Sequence, residues 1–527
     1  MKFQSKLEQM SLKNKKPQQK NNQQKENTDA QHTKGFSFQL EQNISYVKEG
    51  LGNSSDLVTR TIIPTNNREL KLGILYIDGL IDNHAMQNYL METLMVDMKD
   101  APTSVKAFYP FIKESLLPIG ELKEIDTFEK VFDHILSGDT VLFVNGELQA
   151  LALTTKGWKD RGVNEPTSES VIRGPKEGFT ETLRTNTALL RRKIKDPNLR
   201  IESKKLGRMT KTDIAIVYLH GTADEKVVEE VHKRLDDIDV DGILESGYIE
   251  EFIEDDQLSP FPTTYNSERP DTVAASLLEG RVAIITDGTP FVLIVPALFV
   301  QFFQANEDYY QRFDISTAIR ILRFLSFILA LLMPSLYIAA TTFHQEMIPA
   351  PLLISLAAQR EGVPFPAFIE ALLMELTFEI LREAGVRMPR AVGGAISIVG
   401  ALVLGEAAVQ AGLVSPAMVI VVSITAIASF VIPAFNMSIS IRMLRFVFMG
   451  LAASFGLFGI ILGLIATSLH LCSLKSFGIP YMSPLAPIIP KDQKDVVIRF
   501  PHWGLFSRPT FLSRKNEKRS NTGFKGR

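Results

Sequence analysis

The stretch IEALLMELTFEILREAG, Ile369 to Gly385, places acids and a base where an apolar helix would otherwise run. Pro366 suits a first helical position and Gly385 a stop, which predicts a helix of about 18 residues, roughly 27 Å long. At 100° per residue Glu375, Glu379, Arg382 and Glu383 fall on one stripe, with Glu370 nearly opposite. Four glutamates at membrane depth would cost on the order of 10 kcal/mol, whereas the apolar residues of the same helix return roughly 2 to 5. Lipid is therefore excluded as the stripe's neighbour. It must face headgroup water, a partner charge or a water-filled path. Just upstream, QREGVPFP sets Gln359, Arg360 and Glu361 at a helix break beside an apolar segment. Broken helices that present polar groups at membrane depth are typical of ion or substrate paths.

The elements around this helix divide the 527 residues into unlike halves. Up to about Pro290 the chain is polar and mixed; from Phe291 to about Leu474 apolar runs follow one another. Leu322–Phe343, Ala391–Leu413, Ala417–Ala434 and Phe446–Leu471 are long enough to span a bilayer. FVLIVPALFVQFF (Phe291–Phe303) and IPAPLLISLAA (Ile348–Ala358) are shorter and interrupted by proline, so half-helices, re-entrant pieces and interfacial helices all remain open. Arg312, Arg320 and Arg323 put the entry of the first span inside, with the N-terminal half in the cytosol. Arg387, Arg390, Arg442, Arg445 and the basic C-terminus ask for the same side. Four clean spans cannot satisfy them all, which leaves four to six spanning or re-entrant helices.

The polar half contains a duplication. LGILYIDG (Leu72–Gly79) matches IAIVYLHG (Ile214–Gly221), and GDTVLFVNG (Gly138–Gly146) matches GRVAIITDG (Gly280–Gly288). Gly79 and Gly221, Gly138 and Gly280, and Gly146 and Gly288 are each 142 residues apart. Helical patterns lie between the paired strands, so each copy reads as a small α/β unit whose closing glycines need positive φ. The organisation is a basic arm (1–35), a first α/β subdomain (36–160), a linker helix with a second α/β subdomain (161–290), an all-α membrane domain (291–475) and a basic tail (476–527). Between the copies, Arg173, Lys176, Glu177, Arg184, Arg191 and Arg192 form a charged run suited to docking a partner.

Several chemistries find no footing. The chain has one cysteine, Cys472, and eight scattered histidines, which give neither a disulfide nor a metal-ligand spacing. No phosphate-binding glycine loop and no nucleophile elbow occurs, so no cofactor and no enzymatic activity is expected. The net charge of −2 carries no argument for nucleic acid. The N-terminal 34 residues have no apolar core of a signal peptide and are expected to stay cytosolic, solvated or against anionic lipid.

Three stretches together carry a family resemblance: NEPTSESVIRGPKEGFTETLRTNTALLRRKI, SPFPTTYNSERPDTVAASLLEGRVAIITDGTPFVLIVP and PLLISLAAQREGVPFPAFIEALLMELTFEILREAG. From about Lys71 to the last apolar helix the chain resembles the A subunit of the GerA-type spore germination receptors. The resemblance implies a protein of the spore inner membrane that acts with a transporter-like B subunit and a lipoprotein C subunit to detect nutrients. It also implies a homo-oligomer acting as a nutrient-gated ion channel, with the nutrient site on the B subunit. It supplies no pore residues. Gln359, Arg360, Glu361, Glu375, Glu379, Arg382 and Glu383 are assigned to a pore or coupling role on charge cost and helix breaking alone. A membrane-anchored scaffold and a secondary transporter are the competing readings.

Overall fold

The structure, a computed structural model, describes residues 35–63, 70–82, 104–116, 121–157, 171–387, 405–513 and 516–519, with residues 86, 90, 94, 102, 165, 166 and 169 between them. The N-terminal arm and most of the expected span Ala391–Leu413 lie outside the described residues.

The first α/β unit comprises α1 (Leu40–Gly50), β1 (Leu57–Ile62), β2 (Leu72–Ile77), α2 (Val105–Leu116), β3 (Leu122–Ile125), α3 (Phe128–Leu136), β4 (Thr140–Val144) and β5 (Ala150–Leu153). The second comprises α4 (Leu183–Lys193), β6 (Leu199–Leu206), β7 (Thr212–Leu219), α5 (Glu225–Asp236), α6 (Ser246–Ile253), β8 (Tyr265–Ser267), α7 (Pro270–Leu278), β9 (Val282–Thr286) and β10 (Val292–Val295). Each forms a five-stranded antiparallel sheet, in the orders β1-β2-β4-β5-β3 and β6-β7-β9-β10-β8. Alternate residues of β2 enter two different cores, Leu75 and Ile77 with α1 and α3, and Leu72, Ile74 and Tyr76 with Phe108 and Ile112 of α2. Strands covered on both faces read as continuous apolar runs, which is why they stand out in the sequence.

The 142-residue offset extends beyond the motifs that revealed it. It relates α3 to α7, β4 to β9 and β5 to β10 end to end. The paired glycines do have positive φ: 89° and 78° at Gly79 and Gly221, 90° and 101° at Gly138 and Gly280, 86° and 90° at Gly146 and Gly288. A repeated side-chain clamp had no motif to announce it. Asn43 accepts from the Ser37 amide at 2.8 Å and donates to its carbonyl at 2.7 Å; Asn186 does the same with Thr180 at 2.8 and 2.6 Å. The helix read as a linker, α4, is thus the first helix of the second copy.

The apolar stretch Phe291–Phe303 is neither a half-helix nor re-entrant. Its first part is β10, buried on both faces, and its second a 3-10 turn, Phe299–Phe303, whose residues are all buried. There Phe303 stacks on Phe324 at 4.7 Å and Phe299 packs edge-on against Tyr481. The second α/β unit therefore runs past residue 290 and shares one continuous core with the helices that follow.

Those helices are α8 (Glu307–Tyr310), α9 (Phe313–Thr342), α10 (Ala350–Arg360), α11 (Ala367–Arg387), α12 (Pro416–Phe430) and α13 (Phe435–Ser473). Among the described residues, α9 and α13 are long and apolar enough to cross a membrane. The 39 residues of α13 do not form one rod. Gly456 leaves helical geometry (φ 61°, ψ −142°), and a Cβ on Gly459 would lie 2.3 Å from the Leu451 carbonyl oxygen. A Cβ on Gly463 would lie 2.9 Å from the ring of Phe448. Residues 435–455 and 457–473 are therefore antiparallel arms of a hairpin, and the glycines let their backbones touch.

Residues beyond 475, read above as the basic tail, fold back on the α/β side. Ser476 Oγ accepts from the Ala297 amide at 3.0 Å and donates to the Thr263 carbonyl at 2.7 Å. Arg320 of α9 donates to Asp308 at 2.8 Å and to Asp495 at 2.7 Å. Burial is the largest influence on Asp495 and raises its pKa against the opposing pull of Arg320.

Candidate functional site

The acidic stripe of α11 meets charges supplied by the first arm of α13. Glu375 is fully buried and accepts from Arg445 Nη1 at 2.5 Å, while Arg445 Nε donates to the Ala330 carbonyl of α9 at 2.7 Å. One turn further, Glu379 accepts from Arg442 Nη1 at 2.5 Å. The spacing explains the match. Glu375 and Glu379 are four residues apart on a helix running one way, and Arg442 and Arg445 three apart on a helix running the other, so both pairs meet on facing stripes. Each pair lies between apolar helices, where the attraction is strong and each charge is costly to leave alone.

The pairs do not satisfy every atom. Glu375 Oε1, Glu379 Oε1, Arg442 Nε and Arg445 Nη2 are buried with no hydrogen-bond partner among the described residues. Arg382, next along the stripe, has no carboxylate within ion-pair distance among the described residues; its guanidinium carbon lies 5.1 Å from the centroid of Phe430 and 5.9 Å from that of Phe435. Glu383 pairs with Arg387 at 2.6 Å on an exposed surface.

Glu370, opposite the stripe on the wheel, is buried too. It accepts from Arg360 Nε at 3.2 Å and from the Ser415 amide and hydroxyl at 3.0 and 2.9 Å, tying α10, α11 and the start of α12 together. Gln359 is exposed and donates to Ser355; Glu361 is exposed after the end of α10. The seven candidate positions are thus not one constellation. Glu375, Glu379 and Arg382 line up inside the bundle, Arg360 belongs to the Glu370 cluster, and Gln359, Glu361 and Glu383 lie outside both. Sequence reasoning used Arg442 and Arg445 only as topological charges. Their spacing of three, opposite acids spaced by four, was the available signal.

Contacts at the ends fix the direction of each helix. The Gly456 turn abuts Phe343 and His344 at the end of α9, while Arg445 lies beside Ala330, so α9 and the first arm run in parallel. The start of that arm reaches the second α/β unit, with Asn436 Nδ2 3.5 Å from Glu250. The second arm returns there, with His470 Nε2 2.8 Å from Ser259 Oγ. Helices α11 and α12 start together at Glu370 and Ser415 and end together at Arg382 and Phe430, beside the α/β unit.

The charged run between the copies is divided by the fold. Arg191 is not on a surface. It is fully buried, bound to Asp56 at 2.8 and 3.1 Å and to Ser54 at 2.8 Å, and so joins the second copy to the first. Arg184 extends that seam to Asp78 at 3.1 Å. A carboxylate on the other copy claims each cation before any partner can. Glu177 holds Arg192 and Lys193 at 3.3 and 3.4 Å, Lys176 reaches Glu165 at 3.2 Å, and Arg173 is exposed.

The family described as "Bacillus/Clostridium GerA spore germination protein" matches residues 45–511. Spore germination protein KA of Bacillus subtilis (strain 168) is 53% identical over 484 residues, 92% of this chain and 88% of that protein. Spore germination protein GerLA of Bacillus cereus is 40% identical, across 92% of this chain and 98% of that one. Among solved structures, the N-terminal domain of the A subunit of the Bacillus megaterium spore germinant receptor GerK3 is 44% identical, covering 51% of this chain and 99% of that one at a TM-score of 0.41. The extent of these matches, through both α/β units and the helices bearing the charge ladder, makes this chain a member of the GerA spore germination protein family.

Proposed function

We propose that this chain is the A subunit of a nutrient germinant receptor of the spore inner membrane, with its α/β tandem in the cytosol. It acts there with B and C subunits. Copies of the chain assemble so that their membrane helices gate an ion path opened by nutrient. The observation that carries this reading is the buried ladder of Glu375–Arg445 and Glu379–Arg442. A bundle that served only as an anchor would be at least as stable with apolar residues of similar volume at these positions. Charge pairs with unsatisfied atoms suit an element that must exchange partners between two states. Helix α10 adds to this. None of its residues is buried within its own chain, and Leu352 and Ile354 are exposed at the end of the bundle away from the α/β units, a face available to neighbouring copies.

Spores carrying Glu379→Gln, whose ion pair is the less buried of the two, test the reading. Nutrient-triggered release of monovalent cations should fall at least about tenfold, or occur without nutrient, at an unchanged level of the subunit; a tenfold change corresponds to about 1.4 kcal/mol in the gating equilibrium. Normal release from Glu379→Gln spores, with Glu375→Gln spores also normal, would leave the scaffold reading in its place.

A further inference from the structure

We propose that the cavity between the second α/β unit and the ends of α11 and α12 binds a small monocarboxylate, with Arg382 as its anchor. This goes beyond the gating reading, which assigns no ligand to the chain. The cavity measures about 360 Å³ and is walled by Glu169, Arg269 and Arg323 on one side and by Arg382, Phe430 and Phe435 on the other. That volume lies in the range of small-molecule sites.

Three guanidinium groups border one space, and two are neutralised. Arg269 pairs with Asp271 at 2.8 Å and Arg323 with Asp308 at 2.8 Å. Arg382 is the one without a carboxylate among the described residues, and its Nη1 is buried with no acceptor. Arg269, only 3% exposed, likewise has its Nε buried with no acceptor. The Arg382 guanidinium carbon lies over the rings of Phe430 and Phe435, 5.1 and 5.9 Å from their centroids, and a guanidinium offers a planar fork of N–H groups to an acceptor lying in its own plane. A carboxylate fits that fork with two parallel hydrogen bonds. Val431, Ile432 and Pro433 provide an apolar wall for the rest of the molecule.

The same walls select against a dianion. Glu169 and Glu307 both border the cavity. Burial pushes the Glu169 carboxyl up to about 7, and Ser267 donates to it at 2.6 Å. With Glu307 adding a negative charge and Glu169 part of another beside the Arg382 cation, the cavity accommodates a single negative charge on its ligand better than two.

Calorimetric titration of the full-length chain in detergent with sodium benzoate and sodium propionate, against sodium chloride and sodium phosphate at equal ionic strength, tests the proposal. At least one carboxylate should give saturable heat and raise the unfolding temperature. Arg382→Gln should weaken that binding at least about tenfold, because a neutral amide offers neither the charge nor the fork. Should Arg382→Gln fail to fold, Val431→Phe, which fills the cavity without touching the charges, should abolish the heat. Absence of saturable binding by both carboxylates would overturn the site. So would unchanged affinity in the substituted chains, or equal binding of chloride or phosphate.

Discussion

Arg191 and Glu254 show charge used in opposite ways within the second α/β unit. Arg191 is satisfied by Asp56 and Ser54 across the seam between copies, so Arg191→Ala strands a buried carboxylate. Breaking such a pair from one side costs about 3 to 5 kcal/mol. Thermal unfolding of the full-length chain should register that loss, whereas Arg173→Ala, at an exposed position, should leave the transition within about 0.5 kcal/mol. Glu254 has the reverse problem. Burial, and then the charge of Glu250, push its carboxyl from 4.5 up to about 7. A carboxyl whose folded pKa is raised binds its proton more tightly in the native state than in the unfolded one. Its contribution to stability is therefore present below about pH 4.5 and is lost as pH rises through 7. Between pH 5 and 8 the unfolding temperature of the wild-type chain should fall more steeply than that of Glu254→Gln. Parallel slopes would remove Glu254 as the cause. Sequence exposed the charge of both residues and nothing more, because Arg191 meets Asp56 across 135 residues and Glu254 owes its shift first to burial, which no local motif announces.

At the scale of elements, what the sequence disclosed depended on how local the cause was. Paired strands and closing glycines were legible because burial on both faces and positive φ leave marks within a few residues. The acidic helix was legible as a problem of charge cost, but its solution lay some 65 residues away in Arg442 and Arg445. Residues 446–471 read as a single span because their apolar character is continuous, while the event that divides them is one glycine with positive φ. The hairpin leads to a sharp contrast. Gly459→Ala places a Cβ against a backbone carbonyl that cannot rotate away, whereas nothing lies within 4 Å of a Cβ on Gly450. Overpacking of this kind costs about 1 to 3 kcal/mol, so Gly459→Ala should lower the unfolding temperature in detergent while Gly450→Ala should not. Equal behaviour of the two substitutions would mean that the arms do not touch.

For the whole molecule, the helix directions carry a topological consequence. Among the described helices, α9 and the first arm of α13 run away from the α/β units, while α11, α12 and the second arm run back toward them. Arg312, Arg387 and the residues after 475 lie at the α/β end of the bundle, the arrangement that an excess of cations on cytoplasmic loops favours. Arg442 and Arg445 no longer ask for a side of their own, since they are neutralised within the bundle. The native cysteine makes this testable. Cys472 is exposed at the α/β end of the second arm, and Glu361 is exposed after α10 at the opposite end. In membrane vesicles of known orientation, a thiol reagent that cannot cross lipid should label Cys472 only from the face that carries the α/β units. The chain carrying Cys472→Ser with Glu361→Cys should be labelled only from the other face. Labelling of both chains from one face would put α10 on the cytosolic side and remove the parallel pairing of α9 with the first arm. It would also move Gln359 and Glu361 away from the outer end of any path the bundle encloses.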